Sequence, residues 1–133
     1  MNGDLNEALS ERVIGAIFEV ANTLGAGFLE KVYERALVKE LRMRGMRVEA
    51  QAPIEVAYKG EEVGSYFADM VVEGELMVEL KCVARLGPEH LAQCMNYLKA
   101  SGRAVCLLVN FQSSRVEWKR ILRPKSFGSD QNR

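Results

Sequence analysis

Three ionisable side chains, Asp69, Glu79 and Lys81, stand inside apolar runs of this chain. The runs are Tyr66-Phe67-Ala68-Asp69-Met70-Val71-Val72 and Leu76-Met77-Val78-Glu79-Leu80-Lys81, joined through Glu73-Gly74-Glu75. Each reads as a strand, and a charge on a buried strand is costly unless it is paired or binds a metal. Glu79 and Lys81 are two residues apart, so on a strand they point to the same face. Two carboxylates and a lysine on one face can hold a divalent cation and place a water beside it. A buried ion pair between Lys81 and Glu79 or Asp69 also accounts for the charges, with little gain in stability because desolvation offsets the attraction.

The turn decides whether Asp69 can join the other two. A two-residue loop at Glu73-Gly74 would put Asp69 opposite Val78 and turn it away from Glu79 and Lys81. A three-residue connection, Glu73-Gly74-Glu75, or a bulge with Gly74 at positive φ, puts Asp69 opposite Glu79. The expected faces are then Phe67, Asp69 and Val71 with Met77, Glu79 and Lys81 on one side, and Ala68, Met70 and Val72 with Val78 and Leu80 on the other. A bend near Asp69 is the one acceptable substitute.

Other elements must carry the remaining polar candidates to this hairpin. Leu5, Leu9, Val13, Ile17 and Ala21, with Ile14, Phe18 and Leu24, recur at helical spacing and predict a helix over 5–24. Gly25-Ala26-Gly27 ends it. A second helix is expected over 28–44, where Glu30, Tyr33 and Leu37 share a face. On that helix Glu30 is either an ordinary first-turn acid or a carboxylate aimed at the hairpin. Residues 47–58 alternate, with Val48, Ala50, Ala52, Ile54, Val56 and Tyr58 on one face, and Pro53 points to an edge strand or a bulge. Pro88 opens a third helix over 88–100 on which Gln93 and Tyr97, four apart, are neighbours. The run Val105-Cys106-Leu107-Leu108-Val109 suits a strand buried on both faces, parallel to its predecessor through the helical crossover. A last strand over 115–122 carries Trp118, and the polar tail after Pro124 is expected to be disordered. The order α-α-β-β-β-α-β-β gives an α/β sandwich with a mixed sheet, as a single domain over 1–123.

Composition narrows the function classes. With 133 residues, 48% hydrophobic and 27% charged, the chain reads as one globular domain. Net charge is zero, so no overall field draws it to nucleic acid. The charges cluster, however: residues 49–79 hold eight acids against Lys59, whereas 35–47 and 115–125 are basic. These runs are solvated faces or basic rims beside an acidic metal site. Three scattered cysteines and the single His90 argue against zinc and for a reducing cytoplasm. Val13 to Leu24 is interrupted by Glu19 and Asn22 and does not read as a membrane span. No G-x-G-x-x-G follows a strand, so a nucleotide-dependent redox enzyme has no support.

Asp69, nine intervening residues and Glu79-Leu80-Lys81 resemble the PD-(D/E)xK nuclease signature, with Ala68 where the usual proline stands. Gly27-Phe28-Leu29-Glu30-Lys31-Val32-Tyr33 resembles the G-x-x-E-x-x-Y signature of the GxxExxY proteins. Gln93-Cys94-Met95-Asn96-Tyr97 resembles the Q-x-x-x-Y helix motif of the same superfamily. The likeness runs from about Val13 to Leu122, in the family's order. It implies a restriction-endonuclease-like α/β sandwich with a mixed central sheet flanked by helices. It also implies hydrolysis of phosphodiesters in DNA or RNA with Mg²⁺ or Mn²⁺. In that reading Asp69, Glu79 and the Leu80 carbonyl bind the metal, with Glu30 joining directly or through water. Lys81 orients the water or stabilises charge on the phosphate. Gln93, Tyr97, Tyr33 and His90 are the candidate substrate contacts. The rival is a non-catalytic module, binding nucleic acid or protein, that keeps the fold. Nucleic acid is the expected partner; a homodimer is open, and no membrane is expected.

Overall fold

Apolar residues at helical spacing in the first third of the chain make two helices, α1 (Asn2–Leu24) and α2 (Glu30–Met43). A computed structural model describes residues 2–112 and 115–124. The five strands are β1 (Val48–Tyr58), β2 (Glu61–Val72), β3 (Leu76–Lys81), β4 (Val105–Asn110) and β5 (Glu117–Leu122), with α3 (Pro88–Ser101) between β3 and β4. They form one sheet in the order β1-β2-β3-β4-β5. β3 and β4 run parallel; the other neighbours are antiparallel. The chain is thus an α/β fold with a mixed sheet flanked by helices. The expected disordered tail falls on 125–133, outside the described residues.

Each face of the sheet buries a separate apolar layer. Leu9, Val13, Ile17, Leu37 and Leu41 of α1 and α2 pack on Met70, Val72, Val78, Leu80 and Leu107. Cys94 and Leu98 of α3 pack on Ala52, Ile54, Val71, Met77 and Leu108. β4 is buried along its whole length, as its unbroken apolar run requires. Phe18, expected on the apolar stripe of α1, is exposed. Among the described residues no helix is long and apolar enough to cross a membrane.

The connection between β2 and β3 has three residues. Val72 pairs with Leu76, Val71 with Met77 and Met70 with Val78, leaving Glu73, Gly74 and Glu75 in the turn. Gly74 has φ +69°, and Glu73 also enters the left-handed region at +55°. That conformation costs a non-glycine residue roughly 1–2 kcal/mol. Arg47 offsets it: its N–H donates to the Glu73 carboxylate at 2.7 Å and its guanidinium at 3.0 Å. The Arg47 N–H and guanidinium hold the Glu73 carboxyl below its ordinary pKa.

Strict alternation fails in both neighbouring strands. Ala68 lies in the α3-side layer with Val71 and Met77, while Met70 and Val72 lie in the other. Ala68 was expected on the face of Met70, so the face changes at Asp69. β1 changes at the opposed position: Val48 packs towards α1 and α2, but Ala52 and Ile54 pack towards α3. Gln51, between the pairs Ala50–Met70 and Ala52–Ala68, takes φ +53°. One left-handed residue turns the strand over, which a period-two reading does not anticipate.

Candidate active site

The face change opens the sheet where the chemistry-bearing residues lie. The β2–β3 pairing ends at Met70–Val78, and one further step of the same register sets Asp69 against Glu79. There the side chains take over from the ladder. The Asp69 N–H donates to Glu79 Oε2 at 2.8 Å, and the Leu80 N–H donates to Asp69 Oδ2 at 2.7 Å. Each carboxylate uses one oxygen to close the strand gap and leaves its second, Oδ1 or Oε1, for other work.

This placement moves both acids far from ordinary behaviour. Burial pushes Asp69 up to about 6; the Glu34 and Glu30 charges add to the rise, while the Leu80 N–H and Lys81 oppose it. Burial pushes Glu79 up to about 8, helped by the Asp69 charge and opposed by the Asp69 N–H and by Lys81. Glu79 is only 4% exposed, so a second negative charge beside it is poorly screened.

Lys81 is near enough to favour the charged form of both acids. Its ammonium nevertheless makes no side-chain hydrogen bond or ion pair within 4.0 Å among the described residues. The buried-ion-pair explanation of these charges is therefore not what the fold adopts. The backbone of Lys81 is held firmly: its carbonyl accepts from Phe111 N–H at 3.0 Å. Beyond it, the fully buried Asn110 clamps Val83, accepting from its N–H at 3.1 Å and donating to its carbonyl at 2.9 Å.

Tyr97 of α3 lies near enough to feel the charges of both acids, and Gln93 is its neighbour. Gln93 Nε2 donates to the Tyr97 hydroxyl at 3.3 Å, and Gln93 Oε1 is buried without a partner among the described residues. The Tyr97 hydroxyl is raised by burial and by the Glu79 charge.

Other candidates are placed differently. Tyr33 is buried; its ring stacks on Phe111 at 4.6 Å, and its hydroxyl accepts from Phe28 N–H and donates to the Gly25 carbonyl. It pins the α1–α2 loop through these two bonds. His90 is also taken up, since its Nδ1 accepts from Gly87 N–H at 2.9 Å and caps α3. Glu30 is exposed at the first residue of α2, near enough for its charge to raise Asp69. The buried acid of α2 is instead Glu34, 5% exposed, held by Lys31 at 2.9 Å and Gln51 Nε2 at 2.6 Å. Glu34 went unread, although it lies one turn after Glu30 and next to Tyr33. Gln51 and Asn110 carried no signal beyond their polarity inside strands.

The donor set suits a hard divalent cation. Among the described residues no three His, Cys, Asp or Glu side chains converge to hold a metal alone. Magnesium needs no such cage, for it is commonly held by one or two carboxylates with water completing the shell. Asp69 and Glu79 offer two free oxygens whose mutual repulsion a cation would relieve.

The sequence matches a family described as the PD-(D/E)XK nuclease superfamily over residues 7–121. No curated protein matches it. Among solved structures, the chain resembles an alkaline exonuclease from Laribacter hongkongensis, with TM-score 0.54 and 18% identity, over 75% of this chain and 58% of that one. It resembles SSO0001 with TM-score 0.59 and 17% identity, over 75% of this chain and 53% of that one. The structure of the Laribacter exonuclease with dAMP aligns at TM-score 0.51 and 15% identity, over 84% of this chain and 78% of that one. The chain thus spans little more than half the length of the first two. These likenesses concern the fold, while the family match covers most of the sequence: the chain belongs to the PD-(D/E)XK nuclease superfamily.

Proposed function

We propose that this protein is a metal-dependent nuclease that hydrolyses phosphodiester bonds in DNA or RNA. The observation carrying the proposal is the Asp69–Glu79 arrangement, in which each carboxylate is fixed through one oxygen to the opposing backbone, beside a Lys81 whose ammonium makes no ion pair among the described residues. The exonuclease resemblance, and the dAMP bound by that protein, support a nucleic-acid substrate. Within the superfamily we place the chain among the GxxExxY proteins on Gly27, Glu30 and Tyr33. The free cysteines suit a reducing, cytoplasmic setting.

Asp69, Glu79 and the Leu80 carbonyl would hold Mg²⁺ or Mn²⁺, with Glu30 reaching it through water. When bound, such an ion acidifies a water and neutralises phosphate charge. Lys81 would turn its ammonium to the charge that develops on the phosphate. The buried Gln93 Oε1 accepts a hydrogen bond from Lys81 or from the attacking water, and the Tyr97 hydroxyl steadies the amide. The rival, a non-catalytic binding module, draws on the lack of a third converging acid.

Thermal melts and cleavage assays separate the two. Millimolar Mg²⁺ or Mn²⁺ should raise Tm, the binding adding about 2.7 kcal/mol of stability at a hundredfold excess over Kd, and Asp69→Asn should abolish the rise. Single- and double-stranded DNA and RNA incubated with Mn²⁺ should be cut by wild type and not by Asp69→Asn. An unchanged Tm and intact substrates would sink the nuclease reading.

A further inference from the structure

Three residues before Asp69, β2 carries an aromatic side chain that no motif accounts for. Tyr66 pairs with Ile54, whose side chain is buried in the α3-side layer. Opposed residues project to the same side of a sheet, so Tyr66 also points to the α3 side. Its ring meets that of Tyr97, with centroids 5.6 Å apart and planes at 41°. Tyr97 in turn feels the charges of Glu79 and Asp69. Tyr66 is therefore buttressed by a residue of the candidate site, yet remains 50% exposed. Gly64, two residues earlier on the same strand, adds no side chain over this ring: a Cβ there would lie 3.8 Å from it.

The surface around this ring limits what it can meet. On the Tyr66 face the next pair along the ribbon is Val56 and Gly64. Glu55 follows Ile54 and projects to the opposite face, where its neighbour is Glu62. Neither Val56 nor Gly64 offers a charge to a sugar–phosphate backbone. The uncharged faces of a nucleic acid are its bases, and an aromatic ring stacks on any base once that base has left its duplex neighbours. A base within a paired helix offers no free face to Tyr66.

We propose that Tyr66, backed by Tyr97, is a stacking subsite for an unpaired nucleobase adjoining the phosphate held at Asp69 and Glu79. The position of that phosphate rests on the nuclease reading; the stacking does not require cleavage. The subsite biases the protein towards single strands and frayed ends over intact duplex.

The test compares binding of a fluorescent oligothymidylate with that of an abasic oligomer of equal length, by anisotropy, in Ca²⁺. Both carry the same phosphates, so a difference reports the bases. Wild type should prefer oligothymidylate by about fivefold or more. Tyr66→Phe should keep the preference and Tyr66→Leu should lose it. The wild-type comparison stands even if Tyr66→Leu fails to fold. Equal affinity for the two oligomers, no binding of either, or a preference that survives Tyr66→Leu in folded protein overturns the subsite. A separate Mn²⁺ cleavage assay keeps the readings apart: cleavage without base preference removes only the subsite, and base preference without cleavage removes only the nuclease.

Discussion

At the scale of single residues, the two acids and the lysine differ in what the fold asks of them. Asp69 and Glu79 bond to the backbone of the opposing strand, whereas the Lys81 ammonium makes no hydrogen bond or ion pair among the described residues. Lys81→Ala should therefore cost about 1 kcal/mol or less in a denaturant melt, the scale of a weakly coupled charge, and should abolish cleavage while metal binding persists. A loss of roughly 3–5 kcal/mol would instead mark Lys81 as the counter-ion of a buried pair. The acids give a second prediction, with a definite sign. Both titrate higher in the folded chain than the ordinary 3.8 and 4.5, Asp69 at about 6 and Glu79 at about 8. The folded protein thus holds more protons than the unfolded one. The stability this contributes is complete below about pH 4 and drains away as pH rises through about 8. Metal-free Tm should fall over that window, and Glu79→Gln should flatten the fall. Mg²⁺ should raise Tm more at pH 8 than at pH 6, because at pH 6 it must displace a proton from Glu79. A Tm of the metal-free protein that climbs with pH would refute this account.

At the scale of elements, the apolar patterns carried most of the information. The two N-terminal helices, the third helix, the buried fourth strand and its parallel pairing all follow from spacing and glycine or proline punctuation. The three-residue connection follows from chemistry, since only that register lets Asp69 meet Glu79. What escaped the sequence is the face change at Gln51 and Asp69. It depends on one residue in a left-handed conformation, and glutamine does not advertise that as glycine does. Glu34 escaped for a related reason: on a helix, acids one turn apart look alike until packing shows which is covered. Tyr33 and His90 show the converse, where a motif position or a rare residue type proved to serve the loop and the helix cap. The β3 exit also has an element-scale test. Asn110 supplies two bonds to Val83 just past Lys81. Asn110→Ala should cost about 1–3 kcal/mol, since it strands buried polar groups, and should speed amide exchange at Val83. Unchanged exchange there would show that the clamp does not hold this segment.

At the scale of the whole molecule, the zero net charge means that the proposed nucleic-acid substrate would have to be held locally. Much of the basic run over 35–47 is spent on the fold itself: Arg42 donates to the Val48 carbonyl at 2.7 Å, Arg44 pairs with Glu40, and Arg47 holds the Glu73 turn. On that run Arg35 and Lys39 remain exposed to release counterions. Affinity for single strands should then fall only about tenfold between 50 and 200 mM salt, as for about two neutralised phosphates. A loss of a thousandfold, measured by titrating salt into the complex, would mean that a broader basic surface than this run engages the strand.

The two backbone bonds made by Asp69 and Glu79 carry a consequence for descent. A lineage that lost cleavage would still be under pressure to keep both acids, because they close the strand gap. Lys81 has no such tie and would drift first. A relative that retains the acids but has lost the lysine is then a retired enzyme rather than a misread one. The lysine, the plainest of the three in structural terms, is the position whose history records the chemistry.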